Sequence, residues 1–205
     1  MVNQTHWEAV YREKAADDVS WYRPHLETSI QLIQTSASNS SAAIIDVGGG
    51  ESTLVDDLLT LGYRDISVLD ISREAIQKKQ QRLGTASDDV KWLVADITRA
   101  ELPQQHYDVW HDRAVFHFLL EPELQAAYVQ QVLHSVKAGG HLVIAVFGPE
   151  GPTQCSGLPT ARYDIATLCE RLGPNFHLLR HSLEEHHTPG GKAQQFLYAH
   201  FQLDR

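Results

Sequence analysis

Apolar and polar positions along this chain fall into two alternating patterns. Short apolar runs, each closing on acidic or polar residues, are separated by stretches whose apolar residues recur three and four apart. The runs are Ala42–Ile45, Val68–Leu69, Trp92–Ala95, a segment opening at Tyr107, and His141–Phe147. Apolar runs this short, bounded by turn signals, read as buried strands. The intervening spacing predicts helices over 53–61, 73–83 and 122–136. Gly62 and Gly84 stop the first two and Pro122 opens the third. Strands alternating with helices predict a parallel sheet with right-handed crossovers. Two more helices are expected ahead of the sheet. One runs over 7–16 with Thr5 as its cap, the other over 24–34 with Leu26, Ile30 and Ile33 on one face. The pattern changes at the far end. Phe176–Glu185 and Gln194–Phe201 read as two strands joined by Thr188-Pro189-Gly190-Gly191, a hairpin signal.

The polar residues that close the apolar runs carry the chemistry. The first run ends in Asp46-Val47-Gly48-Gly49-Gly50-Glu51-Ser52 and leads into a helix. Glycines there let backbone approach a ligand closely. The helix N-terminus offers unpaired N–H groups to an anionic end. A carboxylate beside them can accept from an amine, a combination suited to a zwitterionic amino-acid group. Read as G-x-G-x-x-G, the loop has Thr53 in place of the third glycine, which argues against a dinucleotide fingerprint. The second run closes on Asp70, the third on Asp96, and the fourth on His111-Asp112-Arg113. All stand at the C-terminal ends of their strands, where open α/β sheets bind ligands.

With these residues in place, the chain resembles the class I S-adenosylmethionine-dependent methyltransferases over roughly residues 40–147. Asp46-Val47-Gly48-Gly49-Gly50 is similar to that family's first motif, and Val68-Leu69-Asp70-Ile71-Ser72 to its second. Val94-Ala95-Asp96-Ile97 is similar to the third, and Tyr107-Asp108-Val109-Trp110 with 114–119 to the fourth. Val136–Ile144 resembles the family's Gly-Gly turn into the fifth strand. The resemblance implies a doubly wound, mostly parallel seven-stranded α/β sheet closed by a C-terminal antiparallel hairpin. It implies S-adenosylmethionine as cofactor. Asp70 would hold the ribose hydroxyls, and Asp96 the adenine amine with Ile71 and Ile97 sandwiching the ring. Asp46 and Gly48, Gly49 and Gly50 would face the amino-acid end.

Size and charge narrow the acceptor. The 205 residues fit one domain, 1–205, with a helical extension over 1–38, a Ser/Asn-rich junction over 35–41, and the sheet core over 42–205. A net charge of −9 speaks against a broad basic nucleic-acid-binding face. No apolar run approaches the ~20 residues that span a membrane. The residues Met1–Gln4 lack the basic and apolar character of a signal segment. Two cysteines, Cys155 and Cys169, suggest no disulfide framework and a reducing cytoplasm. Twelve histidines raise the question of a metal, but His181, His186 and His187 match no ligand spacing, and none is expected.

The remaining candidates lie around the reacting methyl. Trp7, Tyr11 and Trp21 of the extension are candidates for a lid whose aromatic faces suit a sulfonium; core packing is the alternative. Arg23 is a candidate partner for the methionine carboxylate. His111, Arg113 and His117 are the candidate catalytic residues, with His111 also placed to meet the cofactor. Successive strand residues point to opposite faces, so His111, Asp112 and Arg113 cannot all line one pocket. The Gly- and Pro-rich loop over 148–159, Cys155, Arg162 and Tyr163 complete the expected acceptor wall. A small thiol- or acid-type molecule is the leading acceptor and a protein lysine the second. A nicotinamide-dependent oxidoreductase and a non-catalytic binding domain are the alternatives outside methyl transfer.

Overall fold

A computed structural model describes residues 4–37 and 39–204 of the chain. Met1–Asn3, Ser38 and Arg205 lie outside them, and with them the expectations that rest on the first three residues and on the boundaries at 38 and 205. Seven strands form one sheet in the order β3-β2-β1-β4-β5-β9-β8. The strands are β1 Ala43–Val47, β2 Asp65–Asp70, β3 Val90–Val94, β4 Tyr107–Arg113, β5 Val136–Phe147, β8 Phe176–His187 and β9 Ala193–Leu203. The first five pair in parallel, and β9 runs antiparallel to both β5 and β8. A separate two-stranded ribbon, β6 Gln154–Cys155 with β7 Leu158–Pro159, occupies the Gly- and Pro-rich loop.

Helices cover both faces. The strands alternate side chains between two apolar cores. Ala43, Ile45 and Val47 of β1 join Tyr128, Val129 and Val132 of α5 (Pro122–Ser135) and Leu168 and Leu172 of α6 (Ile165–Leu172). Ile44 of β1 joins Ile33 of α2 (Glu27–Ser36), Leu54, Val55 and Leu58 of α3 (Leu54–Thr60) and Ile76 of α4 (Arg73–Leu83). The same alternation puts Asp46, His111 and Arg113 on the α2–α3–α4 face and Asp112 on the other. Helix α1 (Gln4–Glu13) packs on α4 through a small third cluster of Trp7, Val10, Tyr11 and Ala75.

Several boundaries differ from the expectation, each for a local reason. Helix α1 takes in Thr5 and ends at Glu13, and α2 begins at Glu27 rather than Pro24. Val136, expected to end the helix, and 138–140, expected as the turn after it, belong instead to the start of β5, because Val136 pairs with Tyr107 before the register shifts. Helix α6 was not expected at all, although its ends are marked. Asp164 accepts from the N–H of Thr167 at 2.7 Å, and Gly173 closes it at φ 89°.

Candidate active site

The sheet's strand order reverses between β1 and β4, and the clefts of such sheets open at that point. Asp46 and His111 are register partners across it. Beyond Asp46 the chain turns through glycines whose conformation and proximity to neighbours exclude a side chain. Gly48 has φ 67°, and a Cβ there would lie 2.0 Å from Val115 Cγ2. Gly50 has φ 48°, and a Cβ would lie 2.3 Å from the Tyr11 hydroxyl. The N–H groups of Gly48 and Gly49 donate to the Leu69 carbonyl at 2.7 and 3.2 Å. This fastens the loop to β2.

Asp70 holds the other side of the loop. Its Oδ2 accepts from the Gly50 N–H and its Oδ1 from the Ser72 N–H, both at 2.8 Å. The cap of α4 is Ser72 itself, whose hydroxyl accepts from the Ala75 N–H. Burial raises the Asp70 pKa to about 6, against the opposing pull of the two N–H bonds. Asp96, at the end of β3, accepts from the N–H and hydroxyl of Thr98 at 2.9 and 2.7 Å. Asp70, Ile71, Asp96 and Ile97 all line the cleft.

A buried polar network underlies the loop. Asp46 Oδ1 meets His111 Nδ1 at 2.8 Å, and His111 Nε2 meets the Ser29 hydroxyl at 2.9 Å. The carboxylate can only accept, so Nδ1 is the donor to it, and the serine hydroxyl occupies Nε2. Both ring nitrogens are therefore engaged, and His111 positions Asp46 instead of standing free as a base. Lys79 of α4, fully buried, donates to the Gly49 carbonyl at 3.1 Å and lies 3.8 Å from Asp46 Oδ2. Burial pulls its pKa down, and Asp46 acts against that shift. Asp46 Oδ2 has no hydrogen-bond donor. Neither Lys79 nor Ser29 was among the expected site residues. For Lys79 a signal existed: it shares the buried stripe of α4 with Ala75 and Ile76.

The extension roofs the cleft. Trp7 stands edge-on to Trp21 and Phe118, with ring centres 5.8 and 5.2 Å away, and Tyr11 lies 6.4 Å from Trp21. Trp7, Tyr11 and Trp21 all line the cavity as well as packing together. Glu8 fixes α1 in place. Its carboxylate accepts from the Ser72 hydroxyl and from the N–H groups of Arg73 and Glu74 at 2.9–3.0 Å, capping α4 from another helix. Burial alone would raise the Glu8 pKa, but these bonds and the Arg12 charge prevail and lower it. Lys78 donates to the Tyr11 carbonyl. Arg23 lines the cleft, but its charge is met by Glu184 at 3.0 Å and Glu27 at 3.5 Å.

The segment after β4 divides the remaining candidates. Asp112 faces the opposite core and accepts from the Val115 and Phe116 N–H groups and the Tyr128 hydroxyl, which shapes the turn. Arg113 lines the cleft. His117 does not, contrary to the expectation of a catalytic role. The 3₁₀ turn Phe116–Phe118 folds its ring inward onto Phe147, with centres 4.3 Å apart, and Nδ1 accepts from the Phe147 N–H. Burial and the Arg113 charge lower its pKa to about 3, so it is neutral. Cys155 reaches the cleft from β6, and burial raises its thiol pKa. Arg162, expected in the same wall, donates to the Pro149 carbonyl away from the cleft.

Glycine loop, strand-end acids and roof together enclose about 1120 Å³ of space free of protein atoms, counted to the open mouth. The chain's residues fit S-adenosylmethionine. A Cβ-free cradle and the undonated Oδ2 of Asp46 would take its amino-acid end, and the carboxylates of Asp70 and Asp96 with two isoleucines its nucleoside. When bound, that cofactor supplies a methyl group already activated on a sulfonium. Among the described residues no cluster of histidine, cysteine and carboxylates is arranged to hold a metal.

Comparison with known proteins agrees with the geometry. Residues 44–140 match the family model described as a methyltransferase domain. That match covers just under half of the chain, which is similar there to methyltransferase domains. The eEF1A lysine and N-terminal methyltransferase homolog of Drosophila melanogaster is 26% identical over 144 residues, covering 67% of this chain and 21% of that protein. The chain thus spans about a fifth of the length of that curated relative. Two solved structures share the fold. The 1,6-didemethyltoxoflavin-N1-methyltransferase of Burkholderia thailandensis superposes with a TM-score of 0.73 at 16% identity, covering 98% of this chain and 87% of that one. The N-methyltransferase NodS of Bradyrhizobium japonicum superposes with a TM-score of 0.71 at 17% identity, covering 97% and 98%.

Proposed function

We propose that the chain moves the methyl group to a nucleophile on a small molecule, as a single domain with the helical extension as its lid. The observation that carries this reading is the roof. Trp7, Tyr11 and Trp21 close over the cleft, which suits a molecule taken up whole. In this reading Asp70 accepts from the ribose hydroxyls and Asp96 from the adenine amine, with Ile71 and Ile97 on the ring faces. Asp46 and the Gly48–Gly50 loop receive the amino-acid end. Catalysis rests on alignment of the acceptor with the methyl and on exclusion of water, since the donor is already activated. His111 acts through Asp46. The free thiols of Cys155 and Cys169 go with a reducing, cytoplasmic setting. No helix among the described residues is long and apolar enough to cross a membrane.

A second reading, a lysine or N-terminal amine of a protein as acceptor, is supported by what the Drosophila relative is named for. Both readings are tested by giving the enzyme methyl-labelled cofactor and a cell extract split by dialysis. Label in the dialysable fraction is the expected result; label confined to protein favours the second reading. Binding of NAD with no binding of S-adenosylhomocysteine would overturn both.

Two further outcomes follow from the geometry. Ribose hydroxyls donate to Asp70 as a carboxylate, and its pKa stands at about 6. Cofactor affinity should therefore be highest above that value and fall as the group takes up a proton, by about tenfold at one unit below. The sign for folding is opposite. A carboxyl whose folded pKa is raised from 3.8 stabilises the fold at low pH, and that contribution disappears as pH rises from about 4 to about 6. Calorimetry with S-adenosylhomocysteine across this range checks the first; a flat profile removes Asp70 from the ribose site. The second outcome concerns Glu8→Ala, which deletes a cap of about 1 kcal/mol. Hydrogen exchange over residues 4–23 should speed up, and S-adenosylhomocysteine affinity should fall by ~3–10-fold. Unchanged exchange would mean that α1 is held by its aromatic packing alone.

A further inference from the structure

Arg113 is a buried charge without a counter-charge. It is 8% exposed, and among the described residues no carboxylate forms an ion pair with it. Its Nε donates to the Tyr198 hydroxyl at 3.0 Å and its Nη1 to the Trp21 carbonyl at 2.9 Å. Its Nη2 has no partner. The guanidinium lies over the Phe196 ring, 4.5 Å from its centre. An ionised group taken out of water is costly unless an opposite charge meets it, so an anion bound at Nη2 would offset a cost that two neutral acceptors and a ring face meet only in part.

The sheet says which ligand brings that anion. Arg113 pairs with Ala145 of β5, and Ala145 pairs with Tyr198 of β9. The small alanine between them lets the arginine cross β5 and reach β9. Asp70 and Asp96 stand on the opposite side of the switch point, at the ends of β2 and β3. The guanidinium is thus displaced from the cofactor's acids towards the side where Cys155 enters the cleft. We propose that Arg113 binds a carboxylate carried by the methyl acceptor, which is a small organic acid bearing a thiol or amine nucleophile. This rests on the small-molecule reading above. In the reaction a lone pair of that nucleophile forms the bond to the methyl carbon while the methyl–sulfur bond breaks. The sulfur keeps the electron pair, and the acceptor's proton leaves to solvent. An arginine fixed through Nε and Nη1, with Nη2 left to donate to the carboxylate, aligns the acid with the methyl and, with Trp21 bound through its carbonyl, couples acceptor binding to the closed roof.

A carboxylate could also come from the cofactor's own methionine, and the experiment separates the two. Calorimetry on the enzyme saturated with S-adenosylhomocysteine would use 3-mercaptopropionate and β-alanine against their neutral amides. At least one acid should bind at least tenfold tighter than its amide. Arg113→Gln should abolish that preference with little change in S-adenosylhomocysteine affinity, and Arg113→Lys should retain part of it. A parallel loss of S-adenosylhomocysteine affinity in Arg113→Gln would assign the arginine to the cofactor and overturn the proposal. Normal S-adenosylhomocysteine binding with no preference for either acid would overturn it while leaving the methyltransferase reading intact; failure to bind S-adenosylhomocysteine would instead count against that reading. A second measurement needs no variant. Iodoacetate relative to iodoacetamide should label Cys155 more than it labels Cys169, because only Cys155 lies in the cleft with Arg113. An equal or lower ratio at Cys155 would contradict the anion site.

Discussion

Asp70→Ala is expected to weaken S-adenosylhomocysteine binding by about 100-fold while changing the stability of the ligand-free protein by less than about 2 kcal/mol. The affinity loss has two sources. Two charge-assisted bonds to the ribose disappear, each ~1.5–3 kcal/mol before water compensates. The glycine loop also loses its tie at Gly50. A loss near ~3 kcal/mol corresponds to about 100-fold. Stability behaves differently because two effects of similar size oppose each other. Removing the carboxylate strands the N–H groups of Gly50 and Ser72, at ~1–3 kcal/mol each. It also relieves a buried charge. The pKa rises from 3.8 to about 6, about two units, so ionisation at neutral pH costs the fold ~3 kcal/mol. A residue that does not stabilise the empty protein is one the ligand requires. Titration calorimetry and denaturant unfolding measure the two effects. Unaltered affinity would reduce Asp70 to a loop anchor, and a large loss of stability would show that the two N–H bonds outweigh the buried charge.

The parts of the molecule that were legible in the sequence are those with local cause. Each strand-end acid closes an apolar run, so Asp46, Asp70 and Asp96 could be placed at one edge of a parallel sheet before any coordinates. Period-two alternation likewise separates Asp112 from His111 and Arg113, and the structure puts them on opposite faces. What was not legible depends on chain segments that meet only after folding. Ser29 reaches His111 across 82 positions and Glu8 reaches Ser72 across 64, and no local spacing announces either. His117 shows the converse. Its position one turn beyond β4 suggested an acceptor-facing base, yet the bonds that Asp112 accepts tighten the turn and direct the ring into the core. Arg162 fails for a similar reason, since a nearby carbonyl takes its guanidinium.

Lys79→Met is expected to destabilise the protein by ~3–5 kcal/mol, the range for breaking one side of a buried ion pair. The lysine is fully buried, and its ammonium lies 3.8 Å from an Asp46 oxygen that has no hydrogen-bond donor. The Gly49 carbonyl would lose its donor as well. Methionine fits the volume, so the loss would report charge and hydrogen bonding, with packing largely conserved. Asp46→Asn alone should also destabilise, because it leaves the lysine charge uncompensated. The double variant removes both charges, and the desolvation cost of each goes with them. It should recover to within ~2 kcal/mol of the natural protein, giving a coupling energy of ~2 kcal/mol or more in a double-mutant cycle. Cofactor affinity should not recover with it, because Asp46 faces the amino-acid end and the Gly49 carbonyl still lacks its donor. Denaturant unfolding of the four proteins measures the cycle, and S-adenosylhomocysteine titration measures affinity. Strictly additive losses would mean that Lys79 and Asp46 do not sense each other, and the lysine would then serve the glycine loop through the carbonyl alone. Recovery of stability without recovery of binding would show instead that the pair is retained for the shape and polarity of the cofactor cradle, at no net benefit to the fold.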